Sequence, residues 1–323
     1  MAVTLSIIIP AYNVVSYLED CIESVMSGTF QDFEILLIDD GSVDGTGSLS
    51  DGLAEKYPAI KVFHTENSGL SNARNLGLDH ASGRYIGFVD ADDIVAPNMF
   101  EALVNCMGPD IDMAACRYQR CKREELNVAE VSVTLQTAAN QTETAQKILT
   151  GGYGPNVWNK LYRADILNQN SIRFRKDCCA MEDMYFSMDY LLHCTKAVFL
   201  DEQLYYYIMT DGSITSTFRD NRMIGDAYMN LPRSWRFCTE VMQSLSDELE
   251  TQARSRTVMF YQTVLRKLEK PDSDYIEEAV TYVKRNKSVL LRYRWGFKYY
   301  ISGLVLSISY PLWAKIFRRG IKV

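Results

Sequence analysis

Three carboxylates fall within four residues at Asp90, Asp92 and Asp93. The run Tyr85-Ile86-Gly87-Phe88-Val89 leads into them. It is short, apolar and preceded by the turn signal Ser82-Gly83, as a buried strand is. Like charges this close repel, and at the end of a buried strand they are also partly desolvated. A divalent cation with hard oxygen ligands relieves both effects, and a phosphorylated ligand supplies the remaining oxygens. The alternative is a solvated acidic loop capping the helix that opens near Pro97, since carboxylates are favourable at helix N-termini. A second acidic pair, Asp39-Asp40, follows an apolar run at 33–38, and Asn13 follows another at 5–9. Glu182-Asp183 opens a further helical pattern. There the choice lies between a helix cap and a general base for a hydroxyl acceptor.

The elements that position these residues follow from periodicity. Strands are expected at 5–9, 33–38, 61–64 and 85–89, with helices between them, the first capped by Ser16 and ending at Gly28. Such alternation implies right-handed βαβ units and a parallel sheet, with ligands at the carboxyl ends of the strands. Asn13, Asp39, Asp40 and the 90–93 cluster all sit at such ends. Further strands are expected at 112–118, 197–200 and 204–207. The polar stretch 124–144 reads as an edge or mobile hairpin. From 218 onward apolar residues recur at helical spacing near 220–242, 247–269 and 272–286.

Composition excludes several classes. There is no glycine-rich dinucleotide turn after the first strand and no P-loop. Eight cysteines without a C-x-x-C pair, and only three histidines, disfavour zinc and fit a reduced cytosolic compartment. The N-terminus reads as a strand rather than a signal peptide. The net charge of −7 divides into +10 for residues 281–323, which contain no Asp or Glu, and −17 for the rest. An acidic body with a basic tail argues for a local anionic partner and not for nucleic acid.

Four segments in order resemble glycosyltransferase family 2: Ser6 to Asn13, Glu34 to Ser42, Asn67 to Asn75, and Asp90-Ala91-Asp92-Asp93. The resemblance covers about residues 4–216. It implies an α/β protein with the GT-A (Rossmann-like) nucleotide-sugar-binding sheet, here followed by a C-terminal helical region. It also implies that Pro10, Tyr12, Asn13, Asp39 and Asp40 line the base and ribose pocket. Gly69, Arg74, Asn75, Asp90 and Ala91 would face the nucleotide-sugar. Asp90 and Asp92 would form the D-x-D pair for Mn²⁺ or Mg²⁺, with Asp92 the direct ligand. Asp183 matches the family's base, and Lys160, in Val157-Trp158-Asn159-Lys160-Leu161-Tyr162-Arg163, matches a segment lining the donor and acceptor cleft. The closing loop Thr210-Asp211-Gly212-Ser213-Ile214-Thr215 lacks the basic residue that relatives carry there.

The expected division is 1–217 for the transferase domain, 218–290 for a helical appendix and 291–323 for a membrane-associating segment. Residues 299–314 carry no charge and are flanked by basic residues, with Trp295, Phe297, Tyr299, Tyr300, Tyr310, Trp313 and Phe317 in or beside them. The stretch is shorter than the ~20 residues that span a bilayer, and it resembles an interfacial anchor on an anionic inner leaflet. Packing on the appendix, or on a second subunit of a homo-oligomer, is the alternative. Together these readings give an inverting, metal-dependent transferase. It would move a sugar from a nucleotide-diphosphate donor, a UDP-sugar, to a lipid-linked glycan in polysaccharide assembly, on the inner face of the cell membrane. A non-catalytic partner of the same fold, and a transferase acting on a soluble or protein acceptor, are the competing readings.

Overall fold

A computed structural model describes residues 3–134, 136–178, 180–209, 226–268, 271–289 and 297–317. The chain divides into two compact units. One comprises Met1–Lys176 with Phe186–Ser213, the other Asp177–Tyr185 with Ile214–Val323.

The first unit is built on one mixed sheet. Strands β1 (Leu5–Ala11), β2 (Phe33–Asp39), β3 (Ile60–His64) and β4 (Tyr85–Phe88) lie parallel in the order β3-β2-β1-β4. Every residue of β1, β2 and β4 is buried, which is why these strands read as continuous apolar runs instead of alternating. Helices α1 (Leu18–Met26), α2 (Thr46–Lys56) and α3 (Leu70–His80) make the connections. Gly77 lets α3 approach β1, since a Cβ there would stand 2.4 Å from the Ile8 side chain.

Beyond β4 the sheet continues through β8 (Lys160–Arg163), antiparallel to both neighbours, then β6 (Met113–Cys121) and β9 (Lys196–Ile208). The two-residue β5 (Ile94–Val95) and β7 (Gln136–Asn140) both pair antiparallel with β9. Helices α4 (Met99–Cys106), α5 (Gln141–Thr150), α6 (Ala164–Gln169) and α7 (Glu182–Leu191) complete the series to that point.

Three local expectations change. The strands expected at 197–200 and 204–207 are one 13-residue strand, β9, whose register against β6 shifts beside Cys116 and Arg117. The 124–144 stretch is not a hairpin. It holds a 3-10 turn at Arg123–Glu125 and the single strand β7, and Asn140 then caps α5 in a reciprocal box with Glu143. Ser16 does not cap α1, because Tyr17 occupies that position and makes no side-chain cap bond.

The second unit holds α8 (Asp226–Gln243), α9 (Asp247–Lys267), α10 (Ser273–Arg285), α11 (Phe297–Ile308) and α12 (Tyr310–Phe317). Its core gathers Val258, Tyr261, Leu265, Tyr275, Val283, Leu306 and Trp313 among others. Glu278 on α10 accepts hydrogen bonds from Arg233 on α8 at 2.7 Å and from the Tyr261 hydroxyl on α9 at 2.6 Å, which fastens three helices together. The aromatic segment expected to lie on a membrane is partly folded inward. Trp313 is fully buried and its Nε1 donates to Ser302 Oγ at 2.8 Å. Trp295 lies outside the described residues.

Candidate functional site

The parallel register aligns the carboxyl ends of β1, β2 and β3, since Ala11 pairs with Asp39 and Asp39 with His64. Val89 N donates to Ile8 O, which brings the end of β4 alongside β1. Asn13, Asp39, Asp40 and Asp90 therefore gather at one edge of the sheet, as the sequence pattern requires.

The loops after β1 and β2 are stitched to each other. Asn13, with φ 52°, donates its backbone N–H to Ser42 Oγ, and its side-chain oxygen accepts from Val43 N at 2.9 Å. Pro10 is buried at the end of β1, whereas Tyr12 is 50% exposed. Gly41 has φ 73°, and a Cβ there would meet Asn67 N at 2.7 Å, so glycine is required. Asp40 is buried, and its two oxygens accept from Ser68 N at 2.9 Å and Gly69 N at 2.8 Å. Asp40 thus anchors the loop that enters α3.

Asp39 accepts from Ser42 N at 3.1 Å and from His64 Nδ1 at 2.9 Å, while His64 Nε2 reaches Asp51 at 3.0 Å. Burial opposes ionisation of Asp39, but the Ser42 and His64 hydrogen bonds outweigh it and hold its carboxyl below the usual range. Hydrogen bonds to Asp39 and Asp51 raise the imidazole of His64 in turn.

Residues 90–93 form a turn closed by Asp93 N donating to Asp90 O at 3.0 Å. The three carboxylates have separate fates. Asp93 is buried, with Oδ2 accepting from the Tyr205 hydroxyl at 2.7 Å and Oδ1 from Ile208 N at 2.8 Å, both on β9. Burial first, then the charges of Asp92 and Asp90, push the Asp93 carboxyl well above its ordinary value, against the two hydrogen bonds it accepts. Asp90 is one-quarter exposed, and its Oδ1 accepts from Nη2 of the buried Arg74 at 2.9 Å. Asp92 is half-buried on the same turn, and Ala91 is buried. Tyr205 also accepts from Asp90 N at 3.2 Å and stacks on Trp158 with ring centroids 4.2 Å apart, so β9 holds the turn by side chain and backbone together.

The donor set fits a divalent cation shared with a ligand. Among the described residues no group of three or more His, Cys, Asp or Glu side chains is gathered to hold a metal ion. Asp92 and Asp90 would supply hard oxygens, leaving the remaining coordination to phosphate and water, which is how Mg²⁺ is commonly held.

Two residues expected to face the ligand are spent on structure. Asn75 is buried and grips the backbone of Phe174 in both directions, at 2.8 Å each way. Lys160 is a correction, since it does not stand on a cleft wall. It is fully buried, and its ammonium donates to Gly154 O, Asn156 O and Asn159 Oδ1 at 2.9, 2.6 and 2.7 Å. Three acceptors compensate a buried ammonium well enough to make it a staple for the 154–156 turn. Trp158 is likewise core.

Asp183 lies half-buried in the first turn of α7, after Met181, whose φ is 68°. The Met181 carbonyl accepts from Met184 N and Tyr185 N and so starts the helix. The closing loop at 210–215 lies outside the described residues. The pairing of Arg74 with Asp90, the role of Tyr205 and the Asp39–His64–Asp51 chain were not assigned from the sequence. Only His64, ending a strand next to the acidic one, carried any signal.

The model of glycosyl transferase family 2 matches residues 6–170. The chain is 30% identical over 248 residues to the uncharacterized glycosyltransferase YibD of Escherichia coli (strain K12), covering 75% of this chain and 71% of that one. It is 31% identical over 223 residues to the cholesterol galactosyltransferase of Borreliella burgdorferi, covering 66% of this chain and 62% of that one. Among solved structures, S. aureus TarS 1-349 in complex with UDP-GlcNAc superposes with a TM-score of 0.67 at 20% identity, covering 96% of this chain and 92% of that one. The shared fold is GT-A.

Proposed function

Because this chain belongs to glycosyl transferase family 2 and is a glycosyltransferase, we propose that it transfers a sugar from a UDP-sugar, with inversion, to a hydroxyl of a lipid-linked glycan in cell-surface polysaccharide synthesis. The observation that carries the reading is the division of labour in the 90–93 turn. Asp93 is locked by Tyr205 and the Ile208 amide, Asp90 is oriented by a buried arginine, and Asp92 shares the turn at the edge that also carries Asn13 and Asp39.

Bound at Asp92 and Asp90, Mn²⁺ or Mg²⁺ would neutralise charge on the diphosphate leaving group. Asn13 and Asp39 would address the base and ribose, with Tyr12 exposed beside them. Asp183 would take the proton of the acceptor hydroxyl. A UDP-sugar bound to TarS supports the donor class, and a relative named for galactosyl transfer to cholesterol supports an acceptor carried in a membrane. The working place is then the inner face of the cell membrane. Among the described residues no helix is long and apolar enough to cross it.

The test is Asp183→Asn. The amide is nearly isosteric and caps a helix almost as well, but it cannot accept the proton. UDP-sugar affinity by calorimetry and the melting temperature should stay near wild type while sugar transfer to the acceptor, read as acceptor-dependent UDP release, falls by roughly a hundredfold. Transfer at the wild-type rate would remove Asp183 from the base role, with Glu182 next in line. Failure of the wild-type chain to bind any UDP-sugar in the presence of Mn²⁺ would sink the donor assignment.

A further inference from the structure

Trp313, Leu306 and the inward faces of α11 and α12 are committed to the core of the helical unit, so they are not what a membrane would meet. The opposite face is a different surface. Ile308 is 81% exposed, Leu312 48% and Ile316 54%. They recur every four residues, which stacks them on one side of a helix. The helical path carries through the junction. Ser309 N donates to Val305 O, Trp313 N donates to Ser309 O, and Ser309 Oγ accepts from Leu312 N at 3.3 Å. Pro311, which has no N–H to donate, is exposed in that first turn. The result is an aliphatic stripe about 12 Å long from Ile308 to Ile316.

Charge identifies the occupant. Lys315 is exposed next to Ile316, and Lys284, Arg285, Lys287 and Lys298 are exposed on the same unit. The sequence places ten cations and no Asp or Glu between residues 281 and 323. A second copy laid on this stripe would bring like charge against like charge. An anionic bilayer instead offers hydrocarbon to the three aliphatic side chains and headgroup charge to the cations, whose long stems let the ammonium stay at headgroup level. The stripe is too short to cross a membrane, and it sits on helices whose other face is already packed.

We propose that Ile308, Leu312 and Ile316, with Lys315 beside them, form the face through which the helical unit lies on an anionic lipid surface. This deepens the membrane part of the reading above and makes the aliphatic stripe, not the aromatic residues, the inserting element.

The experiment uses the full chain with vesicles of phosphatidylcholine alone or mixed with phosphatidylglycerol, read by co-sedimentation. Wild type should bind the anionic vesicles, with binding weakened by salt, and the neutral vesicles much less. I308S/L312S/I316S should lower anionic-vesicle binding by about tenfold or more, while the melting temperature and UDP-sugar binding stay unchanged. L312S alone should give an intermediate loss, and it keeps the test open should the triple variant fold poorly. Equal vesicle binding by the variants and wild type overturns the proposal. So does a wild-type dimer, seen by light scattering, that I308S/L312S/I316S dissolves, because the stripe would then be a subunit interface. UDP-sugar binding is read separately, so a chain that meets vesicles but no UDP-sugar refutes the donor assignment and leaves this face standing.

Discussion

The acidic turn at 90–93 and the acidic pair at 39–40 put the same residue type at the same edge of one sheet, yet the carboxyls of Asp39 and Asp93 are pushed in opposite directions. Asp39 and Asp40 are both nearly inaccessible, and each is met by donors: Ser42 and His64 for the first, Ser68 and Gly69 for the second. Asp93 is buried and has two donors as well, but its desolvation, and after it the charges of Asp92 and Asp90 in the same turn, push its carboxyl up. Burial alone therefore does not decide ionisation. Burial is opposed by donors at Asp39 and reinforced by like charges at Asp93.

The comparison breaks most sharply at Asp92 against Asp40. Asp92→Ala should abolish transfer and the Mn²⁺-dependent part of UDP affinity. Its melting temperature should hold or rise, because one of three crowded carboxylates is gone. Asp40→Ala should do the reverse to the fold. Removing its carboxylate breaks the hydrogen bonds from the Ser68 and Gly69 amides to a charged group, which costs roughly 1.5–3 kcal/mol by urea denaturation. Undiminished Mn²⁺-dependent UDP binding in Asp92→Ala would remove it as the ligand.

A smaller effect tests the charge state of Asp93. If that side chain is already uncharged, Asp93→Asn replaces an acid with an isosteric neutral group and changes stability by no more than about 1 kcal/mol. Asp93→Ala, which strands Tyr205 and the Ile208 amide, should cost clearly more. A large penalty for asparagine would mean that the buried group carries charge.

The smallest effect is the pH dependence of the Asp39–His64 contact. The folded imidazole lies above the ordinary 6.5, so its contribution is complete below that value and is lost as pH rises through the folded pKa. Asp39, depressed below 3.8, contributes above that value and loses its share as pH falls through its folded pKa. Between about pH 6.5 and 8 the melting temperature of wild type should therefore fall slightly more steeply than that of His64→Gln. The His64 side chain is 46% exposed, so solvent screening keeps the difference small. Parallel curves would show that the bond is not charge-assisted.

Much of the parallel half of the sheet was legible because buried branched runs end in turn signals. The helical unit was legible because its apolar spacing is unbroken. What stayed hidden depends on partners distant in sequence. Nothing near Lys160 announces that three oxygens will receive its ammonium, so a cleft and a core position look alike. The pairing of Asp90 with Arg74 needs α3 folded against β1 before it exists. Strand β5 is two residues long, too short for any periodicity. Asn140 and Glu143 did carry a readable capping signature, and it points to a helix where a hairpin was expected. Among the aromatics at the carboxyl end, composition could not separate Trp313, which faces inward, from a surface anchor.

Tyr205 and Ile208 leave the ribosome 112 and 115 residues after the residue each one holds. At ordinary synthesis speeds that interval is on the order of ten seconds. Until then a nascent chain carrying β1 to β4 presents Asp90, Asp92 and Asp93 without the strand that buries the last of them. Closing so long a segment is also a late and slow event in folding. The order of translation thus limits the order of assembly: an acidic loop first, and the fastened 90–93 turn only when β9 arrives.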